Sequence, residues 1–220
     1  MTRVGLCQLN VTDDPERNLL TTLDAVRLAA TQGADFVLTP EVTNCVSTSR
    51  THQRSVLQSE QDDITLAALR KEAQALGIWL LIGSLGLKTG DTDGRFANRS
   101  FLIGPEGRIA ARYDKIHMFD VDVTAAETFR ESAGYRPGNR AVIANTPFAT
   151  IGMTVCYDVR FPQLYAALAR AGAHILTVPA ACSPVTGAAH WHCLLRARAI
   201  ETGCFVLAPA QTGTHASASQ

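Results

Sequence analysis

Ile151-Gly152-Met153-Thr154-Val155-Cys156-Tyr157-Asp158-Val159-Arg160-Phe161-Pro162 is the stretch on which the reading of this chain turns. Five residues read as a buried strand, a sharp turn follows at Cys156, and Phe161-Pro162 opens a helix, since proline suits the first helical turn. A strand-to-helix turn exposes its side chain at the edge of a sheet and aims the free N–H groups of the helix start at the same place. Both effects favour a thiolate, which makes Cys156 a candidate nucleophile. The competing reading is a buried structural cysteine, the usual fate of cysteines in reducing compartments.

Outward from this turn the chain alternates strand and helix. Residues 4–9 read as a strand. Asp13-Asp14-Pro15-Glu16 starts a helix that places Leu19, Leu20, Leu23, Val26, Leu28 and Ala29 on one face, and Gly33 stops it. Strands are expected at 36–38 and 79–85, with a helix at 64–76 between them ended by Gly77. Residues 97–103 and 108–113 flank Gly104-Pro105-Glu106-Gly107 and form an antiparallel hairpin. The segment 115–140 is a long polar connection without a period, and such loops are usually functional or disordered. Strands at 141–144, 149–155, 175–178 and 205–208, with helices at 162–171 and 189–201, complete an α/β pattern. Residues 1–215 are expected to form one domain, with 216–220 an untethered tail.

The chain has 220 residues, 46% of them apolar, and twenty basic residues balance twenty acidic ones. That is enough to bury a core, and it lacks the cationic excess that nucleic acid or an anionic membrane demands. The start Met1-Thr2-Arg3-Val4-Gly5-Leu6-Cys7 has no apolar region of signal-peptide length, and the longest apolar run, 78–82, is far too short for a bilayer. A cytoplasmic protein is expected. Cys7, Cys45, Cys156, Cys182, Cys193 and Cys204 are irregularly spaced with no C-x-x-C pair, so free thiols are expected and no structural zinc.

Two further residues stand where strands end. Glu41 follows 36–38 and Thr39-Pro40, and Lys115 lies in Tyr113-Asp114-Lys115-Ile116-His117 at the end of the hairpin. Alone, Glu41 reads as a cap or a surface ion partner and Lys115 as a solvated lysine. Together with Cys156 they supply a nucleophile, a base and a positive charge, the set that acyl transfer from an amide requires. Strand ends are also where α/β folds gather their sites.

These segments resemble the three signature motifs of the nitrilase superfamily of carbon–nitrogen hydrolases, and they occur in that family's order. The resemblance implies a four-layer α-β-β-α sandwich and a Glu-Lys-Cys triad at Glu41, Lys115 and Cys156, with no cofactor and no metal. It places a second glutamate at Glu131 within Arg130-Glu131-Ser132, with Glu127 a lower-ranked alternative. The Tyr157 backbone N–H is expected to help hold the oxyanion. His117-Met118-Phe119-Asp120-Val121-Asp122, Thr186-Gly187-Ala188-Ala189-His190-Trp191 and 194–201 resemble the branch of deaminated glutathione amidases and omega-amidases. That branch implies a small carboxylate-bearing amide as substrate, cleaved to acid and ammonia. Pocket shape is expected to come from the 115–140 loop and from the stretch between Ala180 and Thr186.

Several readings stay open. Arg160 recognises a substrate carboxylate through its planar fork, or pairs with Asp158 and braces the helix. His190 and Cys193 share a helical face with His192 turned away, too few ligands for a metal. Arg196, Arg198 and Glu201 read as structural ion pairs. The family continues past the stretch resembling Gln211-Thr212-Gly213-Thr214-His215 with a further strand hairpin and a tail used at subunit interfaces. This chain is therefore expected to lack the last strands and to leave a sheet edge unpaired. A homodimer or larger assembly is expected if the C-terminus permits. A nitrilase, an N-carbamoyl amidohydrolase and a non-catalytic remnant are the alternatives to an amidase.

Overall fold

The computed structural model describes residues 1–123 and 128–215. Its elements are β1 (Val4–Leu6), α1 (Pro15–Thr31), β2 (Phe36–Leu38), α2 (Arg50–Val56), α3 (Ile64–Leu76), β3 (Trp79–Lys88), β4 (Phe96–Ile103), β5 (Ile109–Asp114), β6 (Asp120–Asp122), β7 (Thr128–Arg130) and β8 (Tyr135–Arg136). There follow β9 (Val142–Asn145), β10 (Thr150–Met153), α4 (Pro162–Arg170), β11 (Ile175–Thr177), α5 (Pro184–Thr202) and β12 (Phe205–Leu207). The first sheet runs β1-β2-β3-β4-β5, with β8 also paired to β4, and the second runs β12-β11-β10-β9. β1, β2 and β3 are parallel, as are β10, β11 and β12 and the β4–β8 pair, while β3–β4, β4–β5 and β9–β10 are antiparallel.

Period-two alternation sorts the strand residues into layers. Val37, Leu80, Ile82, Phe101 and Ile103 pack with Val26 of α1 and with Leu66, Leu69 and Ala73 of α3. Their neighbours Phe36, Leu38, Leu81 and Leu102 point the other way and meet Ile151 and Met153 of the second sheet. The far side of that sheet, with Leu176, packs on Leu164, Tyr165 and Leu168 of α4. Three cores between four layers give the α-β-β-α sandwich. Each fully buried large apolar side chain contributes roughly 1.5–3 kcal/mol, so register is strongly specified where both faces of a strand are covered.

Local chemistry sets the ends of the helices. Asp14 caps α1 by accepting from the N–H groups of Glu16 and Arg17, and Pro15 supplies the first turn. Asp63 caps α3 through the Leu66 N–H, and Gly77 closes it at φ +65°. Three expectations need correction. In α1 the buried residues are Asn18, Thr22 and Val26, while Leu20 and Leu28 are exposed. Asn18 faces inward because its amide donates to the carbonyls of Thr12 and Asn44 and ties two loops to the helix. The 115–140 segment holds the β6–β7 hairpin, a 3-10 turn at Glu131–Ala133 and β8. Finally, α2 was not foreseen and α5 begins earlier, at Pro184. Glu127 and the tail 216–220 lie outside the described residues.

Candidate active site

β10 delivers the chain through Thr154 and Val155 to Cys156, the first residue of a 3-10 turn, Cys156–Arg160, that leads into α4. Cys156 has φ +48°, a left-handed conformation that costs a non-glycine residue on the order of 1–3 kcal/mol unless the surroundings enforce it. Here they do. The Cys156 N–H donates to the Pro179 carbonyl at 2.8 Å. The fully buried Asp158 carboxylate accepts from Val155 N–H (2.9 Å), Tyr113 O–H (2.7 Å), His117 N–H (3.0 Å) and His117 Nδ1 (2.7 Å). One aspartate thus ties the Cys156 turn to the end of β5.

That end presents Lys115, which is only 2% exposed. Its Nζ lies 2.9 Å from Glu41 Oε1, and 3.0 and 2.8 Å from the two carboxylate oxygens of Glu131. Asn98 of β4 donates to Glu41 Oε1 at 2.9 Å and to Glu131 Oε1 at 3.3 Å. Glu41 Oε2 accepts the Ala181 N–H at 2.8 Å, and Glu131 Oε2 accepts the Phe119 N–H at 2.7 Å. Burial works against the Lys115 ammonium, but Glu131 and Glu41 outweigh it and hold the group well above its ordinary value. Lys115 is therefore charged, and the trio carries a formal charge of minus one.

Glu41 is positioned by a close approach. A Cβ at Gly83 in β3 would stand 2.1 Å from the Thr39 carbonyl oxygen and 2.4 Å from that of Pro40, so only glycine lets β3 pass beneath this corner. The Gln211 side chain donates to the Glu41 carbonyl at 2.9 Å from the C-terminal side.

Glu41, Lys115, Cys156 and Glu131 line one cavity of about 360 Å³, with Tyr157, Arg160 and Thr186 in its walls. The Cys156 thiol lies 4.0 Å from that of Cys182. Its S–H shared with Cys182, its burial and the nearby Glu41 carboxylate together push the Cys156 thiol well above its ordinary value, against the pull of Lys115. Cys182 moves down because its sulfur receives that hydrogen bond. At rest Cys156 is a thiol whose proton needs an acceptor.

The other sequence candidates fall as follows. Ala180 does not line the cavity; it is fully buried and its N–H donates to the Pro209 carbonyl, so the wall begins at Ala181. Arg160 does not pair with Asp158, whose oxygens are taken; its Nη2 lies 3.1 Å from His190 Nδ1 and its guanidinium stands over Tyr157. Arg198 pairs with Glu201 and donates to the Val159 carbonyl at 2.9 Å. Sequence reasoning missed Asn98, Asp158, Cys182 and Arg50. Asp158 stood within the nucleophile motif as a signal, whereas Asn98 sits in a strand with nothing local to mark it.

The profile described as "Carbon-nitrogen hydrolase" matches residues 3–219. The chain belongs to the carbon–nitrogen hydrolase family. A deaminated glutathione amidase of Yersinia enterocolitica is 42% identical over 184 residues, 83% of this chain and 64% of that protein. The chain thus spans just under two thirds of this hydrolase relative. The crystal structure of the C. elegans NitFhit protein superposes with a TM-score of 0.88 at 31% identity, over 98% of this chain and 53% of that one. An amidase from Nesterenkonia sp. AN1, seen after Michael addition of acrylamide at its active-site cysteine, gives 0.81 at 25% identity, over 99% and 81%. Among the described residues, no helix is long and apolar enough to cross a membrane.

Proposed function

We propose that the chain is a cysteine-dependent amidase acting on a small carboxylate-bearing amide of the deaminated glutathione or omega-amide type. The observation that carries this reading is the buried Lys115 clamped between Glu41 and Glu131 in the cavity that also receives Cys156. A lysine and two carboxylates are costly to bury, and their assembly beside a thiol held at positive φ is what acyl transfer requires.

Glu41 takes the Cys156 proton as sulfur attacks the amide carbon, and the carbonyl oxygen becomes an oxyanion. Three carboxylate oxygens already occupy the N–H donors of Lys115, so the lysine acts on the oxyanion mainly through its field. The direct donor is the Tyr157 backbone N–H. The tetrahedral intermediate collapses to a thioester as Glu41 returns its proton to the departing nitrogen. Glu41 then deprotonates a water, which attacks the thioester; the acid leaves and the thiol is restored. No group outside the chain is needed for these steps. Glu131, bonded to Lys115 and to the Phe119 N–H, holds the lysine in place.

The test is product release from a panel of amides, with Cys156→Ala as control. Ammonia is the readout for α-ketoglutaramate and a primary amine for deaminated glutathione, whose scissile nitrogen carries the rest of the peptide. Release that disappears with Cys156→Ala is expected. Undiminished turnover by that variant would sink the assignment, and silence of a cooperatively folding protein across all amides would pass the question to nitriles and carbamoyl compounds.

A further inference from the structure

The reaction proposed above has no task for Arg50, although Arg50 lines the same cavity. It opens α2, and its Nη1 donates to Gln53 Oε1 at 2.7 Å while its guanidinium stands 5.2 Å from the centre of the Tyr135 ring. Gln53 is fixed in turn, donating to the Ser47 carbonyl at 3.0 Å and to the Tyr135 hydroxyl at 3.3 Å. Space has also been left for this side chain. A Cβ at Gly134 would lie 2.0 Å from Arg50 Cζ, yet Gly134 has φ −122°, which any residue adopts. The position therefore suits glycine because the guanidinium fills the room a side chain would need, not because of its backbone.

The guanidinium held this way lacks a counter-charge. Among the described residues no carboxylate comes within 4.0 Å of it, whereas Lys115 has Glu41 and Glu131, and Arg130 has Asp122. Among the described residues only one of its five donors meets an acceptor. A simple bracing arginine would pair with a carboxylate or spread into solvent. This one is immobilised by a ring, an amide and a glycine while its planar fork, the geometry that matches a carboxylate, stays available.

We infer that Arg50 receives a carboxylate remote from the scissile amide, so that the preferred substrates are dianions with one carboxylate near the reacting centre and another at Arg50. This deepens the amidase reading and rests on it for the position of the scissile bond. Of the two substrate types named above, it favours deaminated glutathione, whose glycine end carries such a remote carboxylate.

The experiment separates binding from turnover. Linear dicarboxylates of four to eight carbons, each set against the monocarboxylate of equal length, are titrated calorimetrically into the Cys156→Ala protein. At least one dicarboxylate is expected to bind ten or more times tighter than its monocarboxylate. Arg50→Gln should weaken it by roughly 10- to 100-fold, the value of a hydrogen-bonded charge partner. Gly134→Ala keeps the charge but displaces it, and should weaken the same ligand while both variants retain a cooperative melt. If no dicarboxylate is preferred, or if the preference survives Arg50→Gln, the inference is overturned. Turnover is read separately on the otherwise unaltered protein with Cys156 intact. A missing dicarboxylate preference, or one that survives Arg50→Gln, alongside Cys156-dependent amide cleavage refutes the role of Arg50 alone, and an Arg50-dependent preference without any cleavage refutes the amidase reading alone.

Discussion

Replacing Lys115 by methionine removes the only positive charge from a buried group of three. In the intact protein Nζ contacts three oxygens of two carboxylates at 2.8–3.0 Å, and the group carries a net charge of minus one. Lys115→Met raises that to minus two in a site where the lysine was 2% exposed, and leaves Glu41 and Glu131, among the described residues, with only Asn98 and two backbone N–H groups to donate to their carboxylates. Removing one partner of a buried ion pair typically costs about 3–5 kcal/mol, and here the repulsion of two carboxylates adds to it. Glu131→Gln takes the group the other way, from minus one to zero, with the Glu41–Lys115 pair intact. Its cost should be nearer that of one or two hydrogen bonds, about 1–2 kcal/mol.

Urea unfolding of the three proteins at pH 7.5 measures the difference. For a chain of this size 3–5 kcal/mol corresponds to a fall in Tm of roughly 6–20 °C. The double variant Lys115→Met/Glu131→Gln should recover part of the loss, because it returns the charge to minus one. The dependence on pH has a definite sign. Lys115 is held above its ordinary 10.5, so its stabilising contribution is complete below that value and is lost only as pH rises through the still higher folded value. The gap between the intact protein and Lys115→Met should therefore stay flat from about pH 8 to about pH 10. A Lys115→Met protein within about 1 kcal/mol of the parent, or one more stable than Glu131→Gln, would refute the charge argument.

Three other changes probe neighbouring parts of the site. Cys156→Gly relieves the residue at φ +48° and should be more stable than Cys156→Ala by roughly 1 kcal/mol in the same urea assay; equal stabilities would mean the turn is not strained. Cys182→Ala removes the largest influence raising the Cys156 thiol, so the pH profile of iodoacetamide labelling at Cys156, followed by mass spectrometry, should move to lower pH, and an unmoved profile would contradict the thiol pairing. Gly83→Ala drives a Cβ against the Thr39 and Pro40 carbonyls and should cost roughly 3 kcal/mol or more while depressing turnover through Glu41, an effect a tolerant corner would not show.

What the sequence could reveal here follows from how local each feature is. The helix Ile64–Leu76 was readable to the residue because both ends are written in adjacent chemistry, an aspartate cap at Asp63 and a left-handed glycine at Gly77. The strand endings before Glu41 and after β5 were readable to within a residue, whereas the strand before Cys156 ends at Met153, two residues short of the expected Val155. The strands within 115–140 were not. β8 has two residues and exists because Tyr135 and Arg136 lie beside Phe96 and Ala97 of β4, a pairing no local pattern announces. The short helix α2 is polar except for its last residue, Val56, and buries only Gln53, so it has no apolar period to detect.

The site shows the same division at finer grain. A motif could bring attention to the stretch after β11, yet could not say which of two consecutive alanines faces the cavity. Strand geometry decides it: Ala180 is claimed by a bridge to Ala210, which turns the Ala181 N–H toward Glu41. Lys115 read in isolation as a solvated lysine, and its burial became apparent only with Glu41 from the turn beyond β2, Asn98 from β4 and Glu131 from the 3-10 turn beyond β7 around it. Charge is tolerated inside a protein only as an assembled group, and the members of this one come from four separate segments. The residue types at strand ends could therefore nominate the chemistry, but the cost and protonation of each charge belong to the assembly, which is why Arg50, a cavity arginine whose partners among the described residues are an amide and a ring, emerges only from the three-dimensional arrangement.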